Sequence, residues 1–312
     1  MTSTSTKPLL LLIIGGLILS LSGIAVAYSS MGTSAMGFYR MLLGGLGLCI
    51  FALAKRVPFR ITAKAFLYAC LAGFALALDL YCWHKSIRIV GPGLGAILTN
   101  CQSFFLAIFA YAVFKERITL VYFVSLVTAA VGIVMISGAG LAMPGRTDMD
   151  WVFLLGLALG LASAVAYALC VVFIKIPQSE QRHSTHPVIN MVVLCATAAA
   201  FFLVTTLFEG ESLVIPDANN AVTLLLYGLV VQAVAWLMVS TAVPLVKSSL
   251  AGLILLAEPI GTYIIDVLYF SARPTAVALV GISLTILAIY VGSVYGTAIV
   301  PARKQGNHPL TL

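Results

Sequence analysis

The sequence predicts an all-α membrane protein: ten transmembrane helices in two inverted five-helix repeats. Three observations carry that prediction. First, 62% of the 312 residues are hydrophobic and only 9% are charged, against roughly 25% charged in soluble domains. Mean hydropathy is +1.11, and no water-soluble fold covers that much apolar surface with so few charges. Second, breaking the chain at charges, Pro and Gly leaves apolar segments of about 20 residues, the length a helix needs to cross a bilayer. They run 8–29, 33–54, 62–83, 91–113, 119–138, 151–174, 187–207, 219–241, 248–270 and 275–298. Third, the stretch 90–119 returns 156 positions later as 246–275 without a gap, with identities such as Leu94/Leu250, Phe114/Phe270 and Arg117/Arg273. Each copy opens with small residues, carries a polar residue near its middle and ends in Arg-x-Thr. An offset of half the chain marks a duplicated unit, here 1–140 and 141–312.

Taken in order, the first segment requires a choice. Ala25-Val26-Ala27 resembles a signal-peptidase site, but one Lys precedes it and the apolar run from Leu9 exceeds a usual signal core. Cleavage would also break the five-plus-five layout, so the segment is read as an uncleaved spanning helix. The second segment carries Arg40. The third has Asp79, Trp83 and His84 towards its end, and the fourth has Asn100, Gln102 and Ser103. The fifth is almost wholly apolar. The sixth contributes Ser163, Tyr167 and the close-packing spacing Gly156-x-x-x-Gly160. The eighth carries Gln232, Trp236 and Ser240, and the ninth Glu258, Pro259, Thr262 and Asp266. Connections are short, the longest being 138–150 and 176–186. Six cysteines lie in or at the ends of apolar segments with no C-x-x-C pair, and read as small packing residues.

The net charge of +7 is distributed between the apolar segments rather than gathered in one patch, which argues against nucleic acid. It serves as an orientation signal instead. With the N-terminus in the cytoplasm, the inner segments carry Lys7, Lys55, Arg56, Arg60, Lys64, Lys115, Arg117, Lys175, Arg182, Lys247, Arg303 and Lys304. The outer ones carry Lys85, Arg88, Arg146 and Arg273, with the acids Asp148, Asp150, Glu209, Glu211 and Asp217. That bias predicts both termini in the cytoplasm of a multi-pass plasma-membrane protein, the inner membrane of a bacterium. Five helices per repeat is odd, so the second half crosses in the opposite sense. Such halves are related by a pseudo-two-fold axis in the membrane plane, and a transporter built this way binds its substrate near the midplane between them.

Polar groups inside a membrane are costly and face the interior, so they are the functional candidates. Glu258 falls about ~15 Å into its helix at 1.5 Å per residue. Thr262 and Asp266 follow on the same face, and Pro259 frees a carbonyl and permits a bend. The carboxylate reads as a cation or proton site, or as a protonated acid bonded to a neighbouring helix. Gln232, Trp236 and Ser240 make a second stripe, Asp79 and Trp83 a third, Ser163 with Tyr167 a fourth, and Ala96, Asn100 and Ser103 a fifth. Together they predict a cavity for an amphipathic organic molecule, with aromatic faces to stack on rings or attract cations. Tyr81, Trp83, Trp151 and His84, near segment ends, also fit an interfacial belt. Arg40 needs a buried partner, and by depth Asp79 is the expected one. No H-E-x-x-H, G-x-S-x-G, Walker A or haem-attachment motif is present, so neither catalysis, an ATP-driven pump nor a cofactor is expected.

Three segments resemble a known family. FYRMLLGGLGLCIF at 38–51 is similar to the Arg-bearing second helix of EamA-type domains. FKERITLVYFVSLVTAAVGIVMI at 114–136 resembles their short Glu-x-x-Thr loop entering the fifth helix. LLAEPIGTYIIDVLYFSARPTAVALVGISLTILAIYVG at 255–292 resembles the Glu-Pro segment and closing helices of the second domain. The likeness covers both halves and identifies the chain with the drug/metabolite transporter superfamily. Within it, length and aromatic content resemble the YddG-type exporters of aromatic amino acids and amphipathic cations. The family pattern maps onto Arg40, Glu116 with Thr119, Glu258 with Pro259, and Thr275. The first repeat departs from it with Gln102-Ser103 where the second has Glu258-Pro259, and the second with Ala272 where the first has Glu116. The resemblance implies alternating-access transport of a small organic solute across the bilayer, with proton coupling as one possibility. The alternatives are an uncoupled facilitator, a flippase for a lipid-linked substrate, and a membrane-embedded enzyme.

Overall fold

A computed structural model describes residues 6–22, 25–26, 29–90, 92–136, 151–179, 185–269 and 275–295. Ala27, Arg146, Asp148, Asp150, Arg182, Arg273, Arg303 and Lys304 lie outside the described residues, as does the side chain of Asp266. Every regular element described is helical. The first repeat comprises α1 (Thr6–Leu19), α2 (Thr33–Ala54), α3 (Ala63–Val90), α4 (Pro92–Asn100), α5 (Gln102–Phe114) and α6 (Leu120–Ile136). The second comprises α7 (Trp151–Ser179), α8 (Pro187–Phe208), α9 (Ala218–Leu226), a π-helix (Tyr227–Ala235), α10 (Trp236–Ala242), a 3-10 turn (Val243–Leu245), α11 (Ser248–Leu255), α12 (Glu258–Tyr269) and α13 (Ala276–Val294). Among the described residues, eight helical stretches are long and apolar enough to cross a membrane, while α1 and α6 are shorter apolar helices.

Two expected boundaries move. The third helix continues to Val90 instead of ending near Trp83. Its polar end is accommodated because Lys85 pairs with Glu209 at 2.6 Å and Ser86 donates to the Gly156 carbonyl at 2.8 Å. The eighth segment is not one regular α-helix. Its middle is a π-helix, a form that concentrates at functional sites. The wider turn breaks the expected i, i+4 face of Gln232 and Trp236, and the two side chains meet different neighbours.

The fourth and ninth segments are both broken, at Cys101 and at Leu256–Ala257. These positions are related by the 156-residue offset. In each break the backbone tightens to i−3 bonds, from Cys101 N–H to the Leu98 carbonyl (3.1 Å) and from Ala257 N–H to the Ile254 carbonyl (3.0 Å). Pro259 accompanies the second break, but the first has no proline. The discontinuity therefore belongs to the repeat rather than to one residue.

The halves interleave instead of standing apart. The pairing of α3 with α7 is matched by α1 against the π-helix and α10. The pairing of α2 with the π-helix is matched by α8 with α3, and α5 with α7 by α12 with α1. The pairs α2/α8 and α6/α13 are their own counterparts. Close approach is set by glycine in the last pair, where a Cβ on Gly132 or on Gly281 would fall 2.6 Å from the other's carbonyl oxygen. Among the described residues the match is incomplete: α11 packs on α5, but α4 does not pack comparably on α12.

Candidate functional site

The buried polar side chains converge from both repeats. Asp79 of α3 accepts a 2.6 Å hydrogen bond from Ser163 of α7, and Ser163 lies 3.4 Å from Thr99 of α4. One turn along α7, the Tyr167 ring lies 5.7 Å from the Trp236 ring of α10. Both rings are buried, and Tyr167 Oη and Trp236 Nε1 have no hydrogen-bond partner, nor does Gln102 Oε1 on α5. A buried polar group left unsatisfied costs about 1–3 kcal/mol, so three such groups on helices that meet here call for an explanation beyond core packing.

Arg40 does not pair with Asp79. Its Nε donates to Gln232 Oε1 at 2.8 Å, its Nη1 to the Tyr227 hydroxyl at 2.7 Å, and its guanidinium stacks 4.6 Å from the Tyr227 ring centroid. The expected ion pair is displaced because the π-helix turns both Tyr227 and Gln232 towards α2. Gly44 makes room for this: a Cβ there would fall 2.5 Å from Gln232 Cγ. The Arg40 charge nevertheless reaches Asp79, Tyr167 and Glu258, and Glu258 acts in turn on Asp79 and Tyr167. Glu258 thus sits within the field of a cation.

Other predicted members stand apart. Thr262 donates to the Glu258 carbonyl at 3.2 Å, so its hydroxyl is engaged with the backbone. Trp83 is half-buried against the His84 ring at 5.0 Å. Asn100 closes α4 at the first break, and Pro259 follows Glu258 in the first turn of α12. His84 is enclosed by protein: it is 3% exposed, inside the extended α3, and neither ring nitrogen has a partner. The sequence reading missed Tyr227, whose position inside an apolar run gave no polar periodicity to follow.

Opposite ends of the bundle are tied by different carboxylates. At one end Glu116 accepts from Lys175 Nζ (3.1 Å), from the Ser248 and Ser249 amides (2.7 and 3.1 Å) and from Ser249 Oγ (2.8 Å). It caps the N-terminus of α11 and joins it to α7. Burial works against its charge, but Lys175 and the serine hydrogen bonds outweigh it and hold the carboxyl below the usual glutamate range. At the other end Glu209 joins Lys85, Ser34 (2.8 Å) and Tyr81 (2.9 Å), and these bonds likewise outweigh partial burial to hold it low. Glu211 accepts from the Ala35 amide at 2.8 Å, in the first turn of α2. A cavity of about 170 Å³ opens at the Glu209 end, between the N-terminus of α2 and the C-terminal part of α3.

The model of the EamA-like transporter family matches residues 6–138 and again 154–294. A solved crystal structure superposes with a TM-score of 0.79 at 14% identity, covering 93% of this chain and 98% of that one, which shows a shared fold. No curated protein sequence matches the chain.

Proposed function

The chain belongs to the EamA-like transporter family, and on that premise we propose that it exports small organic solutes, such as amino acids or amphipathic metabolites, by alternating access. In this reading α1 and α6 also cross the bilayer, giving ten crossings with both termini in the cytoplasm of a bacterial inner membrane. The observation that carries it is the pair of helix breaks at equivalent positions of the two repeats, at Cys101 and Leu256–Ala257. Discontinuous helices at a repeat interface are where transporters of this architecture hold their substrates.

The substrate site is the region bounded by Asp79, Tyr167, Gln232, Trp236 and Glu258, with Asn100, Thr262 and Trp83 at its margins and Arg40 and Pro259 shaping it. The tilted ring pair Tyr167/Trp236 offers an aromatic surface to an apolar or aromatic group. Two carboxyl groups, Asp79 and Glu258, share the field of one cation, Arg40. One acid is therefore left without a counter-charge, to take a proton or the cationic group of a solute. Competition between those two is the elementary step of antiport. An uncoupled facilitator would use the same site without proton release, and a flippase would present it to a lipid-linked headgroup.

The test is flux in proteoliposomes over a panel of amino acids and quaternary amines, with and without a pH gradient, for the wild type and Glu258→Gln. The glutamine keeps size and hydrogen bonding but cannot release a proton. Accumulation against a gradient should be lost while downhill exchange persists, as Gln102 already occupies the equivalent position in the first repeat. Uphill transport with unchanged pH dependence in the variant would remove proton coupling through Glu258.

A further inference from the structure

The cavity at the Glu209 end has a chemistry that the central site does not use. Among the described residues it is lined by His84, Arg88 and Thr33, with Val26, Met31 and Met36 as its apolar wall. His84 is 3% exposed, and both of its ring nitrogens lack partners, as does Thr33 Oγ1. Arg88 is exposed and makes no ion pair with a described residue. The charges of Arg40, Arg88 and Lys85 all act on His84. Nearby acids are already engaged, Glu209 by Lys85, Ser34 and Tyr81, and Glu211 by the Ala35 amide.

We propose that this cavity is a second binding station, for the carboxylate of a small organic solute with a branched or aromatic apolar body. Arg88 presents the planar donors that match a carboxylate. His84 and Thr33 line the same space, and the imidazole nitrogens and the hydroxyl lack partners, so they are two further hydrogen-bonding groups beside it. The apolar wall takes the body of the solute, and its presence distinguishes the cavity from a site for an inorganic anion. The first turn of α2 adds partial positive charge at the mouth, though Glu211 already uses one of its amides. His84, which lines this cavity, and Asp79 of the central site are carried by the same helix, α3, with His84 further towards the Glu209 end.

This assignment rests on the solute-transport reading for its meaning but not for its test. Equilibrium binding of isovalerate is measured by calorimetry on the full chain in phosphatidylcholine nanodiscs, with 3-methylbutanol and 3-methylbutylamine as controls on the same carbon skeleton. Isovalerate should bind, both controls should bind more weakly, and Arg88→Gln should weaken isovalerate about tenfold or more, the scale of losing a charge-assisted contact. Arg88 is exposed, so that variant folds; His84→Gln, which keeps a donor, should retain part of the affinity that His84→Leu loses. Equal binding by wild type and Arg88→Gln, no binding by wild type, or preference for the amine would overturn the proposal. Loss of isovalerate binding in discs containing phosphatidylglycerol would also overturn it, because it would assign the cavity to a lipid phosphate. Binding that follows this pattern without any isovalerate flux in liposomes would uphold the station and count against the transport reading instead.

Discussion

Trp236 and Trp151 are the same residue type in opposite circumstances. The first is 1% exposed and packed at a tilt against Tyr167 with its indole N–H unpartnered, whereas the second is 71% exposed at the start of α7. If the unpartnered N–H belongs to the solute site, Trp236→Ala should reduce transport at least about tenfold, the scale of a lost stacking face plus a hydrogen bond. Trp151→Ala should leave it near wild type. Proteoliposome flux at equal reconstituted protein makes the comparison, and equal losses would remove Trp236 from the site. Arg40 allows a sharper version. Its guanidinium meets Gln232, Tyr227 and the Tyr227 ring through different parts of one planar fork, a geometry a lysine cannot copy. Arg40→Lys should therefore lower transport although the charge is kept, and Gln232→Glu, which answers that charge with an ion pair, should not restore it.

At the scale of elements, the loop 115–119 acts as a cap for a helix in the other repeat. Glu116 and the α11 amides are 132 positions apart or more, so nothing local in the sequence reveals the contact. The resemblance singled out Glu116 but gave it no partner. The folded carboxyl is held below its ordinary value of 4.5, so its stabilisation is full above that value and is lost as pH falls through the lower folded one. Glu116→Gln leaves Lys175 without a counter-charge and should cost about 3 kcal/mol. Its melting temperature should sit below wild type at pH 7, with the gap closing only below pH 4.5. A gap unchanged down to pH 3 would show that the charge is not what Glu116 contributes. The sequence was legible where periodicity reports a choice made within one helix: the apolar helices, the two-repeat architecture and the inward placement of Asp79, Tyr167 and Trp236. It was silent where the outcome depends on two helices at once. The π-helix that diverts Gln232 and Tyr227 to Arg40, and the break at Cys101 without a proline, are of that kind.

At the scale of the whole molecule, the informative feature is a place where, among the described residues, the exchange of halves fails. The fourth and ninth segments meet through α5 and α11, and symmetry would have α11 on α5 matched by α4 on α12. Only the first contact is well formed. It is reinforced by Ser103 donating to the Gly252 carbonyl at 2.8 Å, Tyr122 donating to the Ser249 carbonyl at 2.8 Å, and the Glu116 cap. The open cavity lies at the opposite end. An inverted repeat that is tight at one end and loose at the other has a mirror arrangement in which the tight and loose pairs trade places. In that alternative, α4 closes on α12 while α5 and α11 part. A Cβ built on Gly252 falls 3.5 Å from Leu106 Cβ, within disulfide reach, and its close contact with Leu106 Cδ2 vanishes once Leu106 is shortened. Leu106→Cys/Gly252→Cys in a background lacking the six native cysteines should therefore cross-link under mild oxidation. The cross-linked protein should lose transport and recover it on reduction, while isovalerate still binds at the Glu209-end cavity. If the oxidised protein transports as fast as the reduced one, α5 and α11 never separate during the cycle, and the exchange between mirror arrangements is not how this molecule moves its solute.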